Sequence, residues 1–126
     1  MQNNKTEESR KKIAAMLDKL SRGVVVVEGK HDIDMFMKLG ISAISYDRLM
    51  RNHIDIEEGK IVYLIMDNDN GGYDKESKAL SFLIERNCNV NTELGHYLLK
   101  LLNITSVEQA YQPIMDVLKK ENVKRK

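Results

Sequence analysis

Two unbroken apolar runs stand out from a mixed chain: Val24-Val25-Val26-Val27 and Ile61-Val62-Tyr63-Leu64-Ile65-Met66. β-favouring residues dominate both, so each reads as a strand covered on both faces, as in a parallel sheet. Elsewhere apolar residues recur at helical spacing. Ile13, Met16, Leu17 and Leu20 mark a helix over about 6–20. Thr6 is placed to cap it, with Glu7 and Glu8 in the first turn, where the helix dipole favours acids. Gly23 ends that element. Ile33, Met35, Phe36 and Leu39 mark a second helix, capped by Asp32 and stopped by Gly40. Residues 41–45 predict a short strand of weaker character, and a polar helix is expected over about 47–56. Ala79, Leu80, Leu83 and Ile84 share one face of a helix over 75–86. Cys88-Asn89-Val90 reads as a short last strand, and Asn91 is placed to cap a helix carrying Leu94, Tyr97, Leu98, Leu101 and Leu102. Thr105-Ser106-Val107-Glu108 has the capping-box spacing, so one more helix is expected there, kinked or restarted by Pro113. The basic tail, 119–126, is expected to fray.

Strands alternate with helices, which predicts a compact three-layer α/β fold: a mostly parallel central sheet of about four strands flanked by helices. The 126 residues suit one domain, 1–126, with its core over about 23–118. A hydrophobic share of 42% provides for a core and excludes general disorder. Twenty basic and 19 acidic side chains nearly cancel, so a nucleic-acid partner would have to meet a local basic patch rather than a global field. The single cysteine, Cys88, excludes an internal disulfide and a cysteine-built zinc site. No stretch approaches the roughly 20 apolar residues of a membrane span. The polar, acidic start does not read as a signal peptide, so a cytoplasmic protein without a membrane partner is expected.

The chemistry concentrates at two strand ends. Glu28-Gly29 follows the valine run; Asp67-Asn68-Asp69-Asn70-Gly71-Gly72 follows the longer run. Open α/β sheets bind ligands at the carboxyl ends of their strands. If the two strands are parallel neighbours, Glu28, Asp67 and Asp69 share one edge. Carboxylates held together repel unless a cation, a proton or a basic group lies between them. Mg²⁺, or Mn²⁺ in its place, suits such hard oxygen donors, keeping several waters and taking one or two carboxylates plus a substrate phosphate. Glu28 is then placed to move a proton at an attacking or departing oxygen. Gly29 and Gly72 would let backbone approach a phosphate, and Lys30, His31 and Lys75 would neutralise its charge.

These residues resemble a known pair of motifs. Val26-Val27-Glu28-Gly29-Lys30-His31-Asp32 looks like the first motif of the Toprim domain, a strand followed by Glu-Gly-x-x-Asp. Asp67-Asn68-Asp69-Asn70-Gly71-Gly72 looks like its second, Asp-x-Asp-x-x-Gly. The resemblance spans about 23–118, and the chain as a whole is similar to the small stand-alone Toprim proteins of archaea and bacteria. It implies Mg²⁺-dependent breaking or joining of phosphodiester bonds in RNA or DNA, as in topoisomerases, primases and the nuclease that matures 5S ribosomal RNA. By position it makes Glu28 the general acid/base and Asp67 and Asp69 the metal ligands, with Asp32 in a supporting or capping place. Two positions depart from it. Asn70 and Tyr73 stand where relatives commonly carry basic residues, which removes phosphate-binding charge.

Plainer readings stand beside these. The two aspartates could form a polar turn, and Glu28 could pair with Lys30 on the surface. An EF-hand would also begin Asp-x-Asp but fails at Gly71 and at Lys78, where ligands belong. An aspartyl phosphatase places Asp-x-Asp after a strand, though usually the first strand and with threonine or valine where Gly71 stands. His31 reads as a solvated loop residue, and His53 and His96 have no evident partner. Five tyrosines and two phenylalanines suggest no base-stacking platform. The leading expectation is an Mg²⁺-dependent nuclease or nucleotidyl-transfer enzyme that processes RNA or DNA. The alternative is a non-catalytic module that docks on nucleic acid or a larger nucleoprotein complex.

Overall fold

The structure, a computed structural model, describes residues 2–51 and 54–124. His53 and the last two residues of the basic tail lie outside them. The fold is α/β. Four strands, β1 (Val24–Val27), β2 (Ala43–Ser45), β3 (Ile61–Leu64) and β4 (Asn89–Asn91), form one sheet in the order β2-β1-β3-β4. Every neighbouring pair is parallel. Among the described residues six helices flank it: α1 (Gln2–Arg22), α2 (Lys30–Lys38), α3 (Tyr46–Met50), α4 (Asn70–Glu85), α5 (Glu93–Leu102) and α6 (Tyr111–Lys124). A 3-10 turn, Val107–Gln109, precedes α6.

Alternation along the two central strands builds both cores. Val25, Val27, Tyr63 and Ile65 face one side and pack with Ile13 of α1, Phe36 of α2, Leu98 of α5 and Ile114 of α6. Val26, Val62, Leu64 and Met66 face the other and pack with Leu49 of α3 and Ala79 and Leu83 of α4. A strand buried on both faces has no polar side to mark, which is why these runs are unbroken in sequence. The connection through α2 moves outward from β1 to β2; that through α4 moves the opposite way, from β3 to β4. Right-handed crossovers in opposite directions must lie on opposite faces, and these two helices do.

Several helix starts differ from the sequence expectation. α1 begins at Gln2, so Thr6 is inside it and Glu7 and Glu8 lie beyond its first turn. Lys30 opens α2 with Gly29 at the cap, and Asp32 is its third residue rather than its cap. α3 is five residues long, not ten, and Ser45 caps it by accepting from Arg48 N–H at 3.2 Å. Asn91 does satisfy the start of α5, accepting from Leu94 N–H at 2.9 Å. The Thr105–Glu108 segment starts only the 3-10 turn. Pro113 sits in the first turn of α6, where its missing N–H removes no helical bond, so it need not kink the helix. No helix among the described residues is long and apolar enough to cross a membrane.

Candidate functional site

The chain leaves β1 for β2 on one side, then crosses to β3 on the other. The strand order therefore reverses between β1 and β3. Beyond the carboxyl ends of strands at such a reversal, the following loops diverge and leave a crevice. Glu28 and Asp67 stand at those two ends. Val26 is in register with Leu64, and one further bond, Ile65 N–H to Val26 O at 2.8 Å, keeps the strands together past the last paired residues.

The Glu28 carboxylate then reaches across and accepts from Asp67 N–H through Oε2 at 2.8 Å. Its other oxygen, Oε1, lies 3.5 Å from Lys75 Nζ on α4. The cation beside Glu28 is thus Lys75, one turn into the helix after the aspartates, and not Lys30, which is exposed at the start of α2. Asp67 Oδ1 accepts from Val107 N–H at 2.8 Å, and Asn68 N–H donates to Thr105 O at 2.8 Å. A segment almost forty residues downstream therefore straps the loop after β3 in place. Asp69 Oδ1 accepts from Gly72 N–H at 2.8 Å and so caps α4, which begins at Asn70, five residues earlier than its apolar face suggests.

The charge is concentrated. Burial raises the Asp67 carboxyl above the usual carboxylate range; the Val107 N–H opposes this, while Glu28 and Asp69 add to it. Asp32 is the one buried charged side chain among the described residues, 7% exposed. Burial pushes it up to about 6, against the Gly29 N–H that its Oδ2 accepts at 3.3 Å, with Asp67 and Glu28 raising it further. Four acids thus share one field with Lys75 as the cation in contact with one of them. The donor set is hard oxygen, and Asp67 and Asp69 each have one oxygen outside the backbone bonds described. This suits Mg²⁺ held by one or two carboxylates with waters and a substrate phosphate. It does not make a closed cage: among the described residues no three His, Cys, Asp or Glu side chains form a group able to hold a metal.

Asp32 gives a stability prediction. Its folded pKa of about 6 exceeds the ordinary 3.8, so the neutral form is the one the fold favours. The stabilisation is complete below the unfolded value and is lost as pH rises through the folded one. Asp32→Asn keeps an oxygen for Gly29 N–H and removes the charge. We expect it to stabilise the domain by roughly 1–3 kcal/mol at neutral pH, with the gain fading to nothing near pH 4. Thermal melts of both forms across that range check this; a variant less stable at neutral pH would contradict it.

The glycines divide. Space around Gly29 is open and its backbone is extended, so no neighbouring group requires glycine there. Gly72 is buried, and a Cβ on it would fall 2.0 Å from the Asp67 carbonyl oxygen. Its missing side chain serves the chain's own packing rather than the approach of a ligand.

One residue of this neighbourhood had no partner legible in the sequence. His96 on α5 contacts the Asn68 side chain through Nδ1 and lies 2.6 Å from Glu76 Oε1 through Nε2. Gly95 makes this possible: a Cβ there would be 3.0 Å from Leu64 O, so α5 lies directly against the end of β3. A glycine inside an apolar helical run is the one signal that could have flagged the approach.

No protein-family model and no curated protein matches the chain. A solved structure of a protein from Aquifex aeolicus is similar to it, with a TM-score of 0.61 and 25% sequence identity, covering 76% of this chain and 95% of that one.

Proposed function

We propose that this domain performs Mg²⁺-dependent phosphodiester chemistry on nucleic acid, in the manner of the Toprim proteins its two motifs resemble, in a cytoplasmic setting. The observation that carries the reading is the Glu28–Asp67 contact. Two motifs thirty-nine residues apart meet at one sheet edge at the reversal of strand order, with Asp69 and Asp32 in the same field. Asp67 and Asp69 are the residues that would hold the metal. When bound, the ion supplies charge stabilisation to a reacting phosphate. Glu28, fixed by Asp67 N–H and facing Lys75, is placed to hold or move a proton at the attacking or departing oxygen, and Lys75 to offset phosphate charge. RNA processing is the favoured reaction, by analogy with the 5S-maturing nuclease alone.

The experiment is cleavage of structured RNA and of DNA, with and without Mg²⁺, by wild type, Glu28→Gln and Asp67→Asn. Loss of cleavage in both variants and on chelation supports the reading; activity indifferent to both changes ends it. One observation favours the docking-module alternative: Asp67 and Asp69 each commit an oxygen to a backbone N–H, as purely structural caps would. Nucleic-acid binding that ignores Mg²⁺, with no heat of Mg²⁺ binding by calorimetry, would select that alternative.

A further inference from the structure

Beside the acid edge lies a cleft of about 530 Å³ lined by Asn68, Tyr73, Glu93, His96, Tyr97 and Lys100. It begins at Asn68, the residue between the two aspartates. The aromatic content suggests no base-stacking platform in the sequence, but the fold brings two of the five tyrosines together: Tyr73 and Tyr97 are 49% and 45% exposed, and both line this one cleft. A tyrosine ring presents a large apolar face with a polar tip and is enriched where a partner covers it. Tyr73 is also backed rather than free: its ring lies 5.7 Å from the His96 ring, which Asn68 and Glu76 hold on either side. The positive charge is nearby. Lys100 follows His96 by one helical turn, and Lys12 Nζ sits 6.0 Å from the Tyr97 ring centroid.

We propose that this cleft receives an unpaired nucleotide base of a single-stranded nucleic acid whose neighbouring phosphate meets the acid edge. The inference rests on the phosphodiester reading for its phosphate, and on the cleft for its base. Stacking on a tyrosine ring demands a base freed from its partner, because a paired base presents only its edge to a groove. Lys100 and Lys12 offer charge to the flanking phosphates. Glu93, the one acid in the lining, repels phosphate but accepts from the amino group on a base edge. Past Tyr97 the surface continues into an open, largely apolar groove of about 920 Å³ whose charged lining is mixed, with Lys12, Lys19 and Arg22 on α1 and Glu57 and Glu58 in the chain before β3. The basic side of that groove is the α1 side, where Lys12, Lys19 and Arg22 stand.

The test is fluorescence anisotropy with fluorescein-labelled single-stranded oligomers, one ribose and one deoxyribose of the same sequence, and with the corresponding duplexes. Measurement with Ca²⁺ in place of Mg²⁺ suppresses cleavage while a cation still neutralises the acid edge. Single strands should bind more tightly than duplexes. Tyr73→Ala and Tyr97→Ala should each weaken single-strand binding roughly 5- to 100-fold, and Tyr→Phe at either position should restore it, because stacking needs the ring and not the hydroxyl. Either sugar giving this pattern sustains the proposal, and the ratio of the two names the preferred nucleic acid. Both alanine variants folded by circular dichroism and binding like wild type would overturn it, as would no single-strand binding by wild type. Failure here is separable from failure of the proposed chemistry. Mg²⁺-dependent cleavage that survives both alanine substitutions removes the base site and leaves the reaction. Tyrosine-dependent binding without any cleavage does the reverse.

Discussion

Gly72→Ala is expected to destabilise the domain by about 3 kcal/mol or more, while Gly71→Ala next to it should be tolerated. The difference lies in what each new methyl would meet. At position 72 it falls 2.0 Å from the Asp67 carbonyl oxygen, 2.9 Å from its carbonyl carbon and 3.0 Å from its nitrogen. All three are backbone atoms at the end of a central strand, so no side chain can swing aside. Relief requires moving the first turn of α4 away from β3. That movement also pulls Gly72 N–H from Asp69 Oδ1, and losing such a cap costs about 1 kcal/mol by itself. At position 71 the nearest atom to a new Cβ is Asp69 Oδ1 at 3.6 Å, an ordinary contact. Alanine also favours the helix over glycine there by up to about 1 kcal/mol. Urea melts of the two variants should differ sharply, and equal midpoints would show that the contact at Asp67 yields more easily than its backbone composition implies. Because the strained contact touches Asp67 while the cap belongs to Asp69, Gly72→Ala should impair any activity of the acid edge together with stability.

The same contact explains why some of the site was legible in sequence and some was not. Val24–Val27 and residues 61–66 are short apolar runs that each end at an acid, Glu28 and Asp67, and that pattern survives without knowledge of their neighbours. It sufficed for the parallel sheet, and the alternation of strands with helices sufficed for the α/β class. Helix starts fared worse. The apolar face of α4 begins near Lys75, but the helix begins at Asn70 because Asp69 caps it, and a cap followed by Asn-Gly-Gly has no apolar period to show. Asp32 is a mixed case. An aspartate before an apolar run reads as a cap; the cap position is Gly29, three residues earlier, but the Asp32 carboxylate reaches back to accept from Gly29 N–H, and it is buried within the field of Glu28 and Asp67. Lys75, Val107 and His96 meet the edge through tertiary placement. No local rule links Val107 N–H to Asp67 across forty residues, and only the fold brings that strap to the loop.

Glu28→Gln is expected to lower Mg²⁺-dependent cleavage by roughly 10²- to 10⁴-fold with the fold intact, the range typical for loss of a positioned acid or base. The substitution isolates proton transfer because so little else changes. The glutamine oxygen can still accept from Asp67 N–H, the bond that ties the two strand tips. The ion pair with Lys75 is lost, but Lys75 is 42% exposed at its side chain and can turn to water, so the cost is at most about 1 kcal/mol. Removing the negative charge also relieves Asp67 and Asp32, both of which Glu28 pushes toward the neutral form. The variant should therefore melt within a few degrees of wild type and bind single-stranded oligomer as well or better, since one acid no longer repels phosphate. Glu28→Ala separates the roles further. It leaves Asp67 N–H without its acceptor, and an unsatisfied part-buried donor costs about 1–3 kcal/mol, so this variant should lose stability as well as turnover. If Glu28→Gln cleaves at the wild-type rate while Glu28→Ala is unstable, Glu28 is a strut between β1 and β3, and the proton is handled elsewhere.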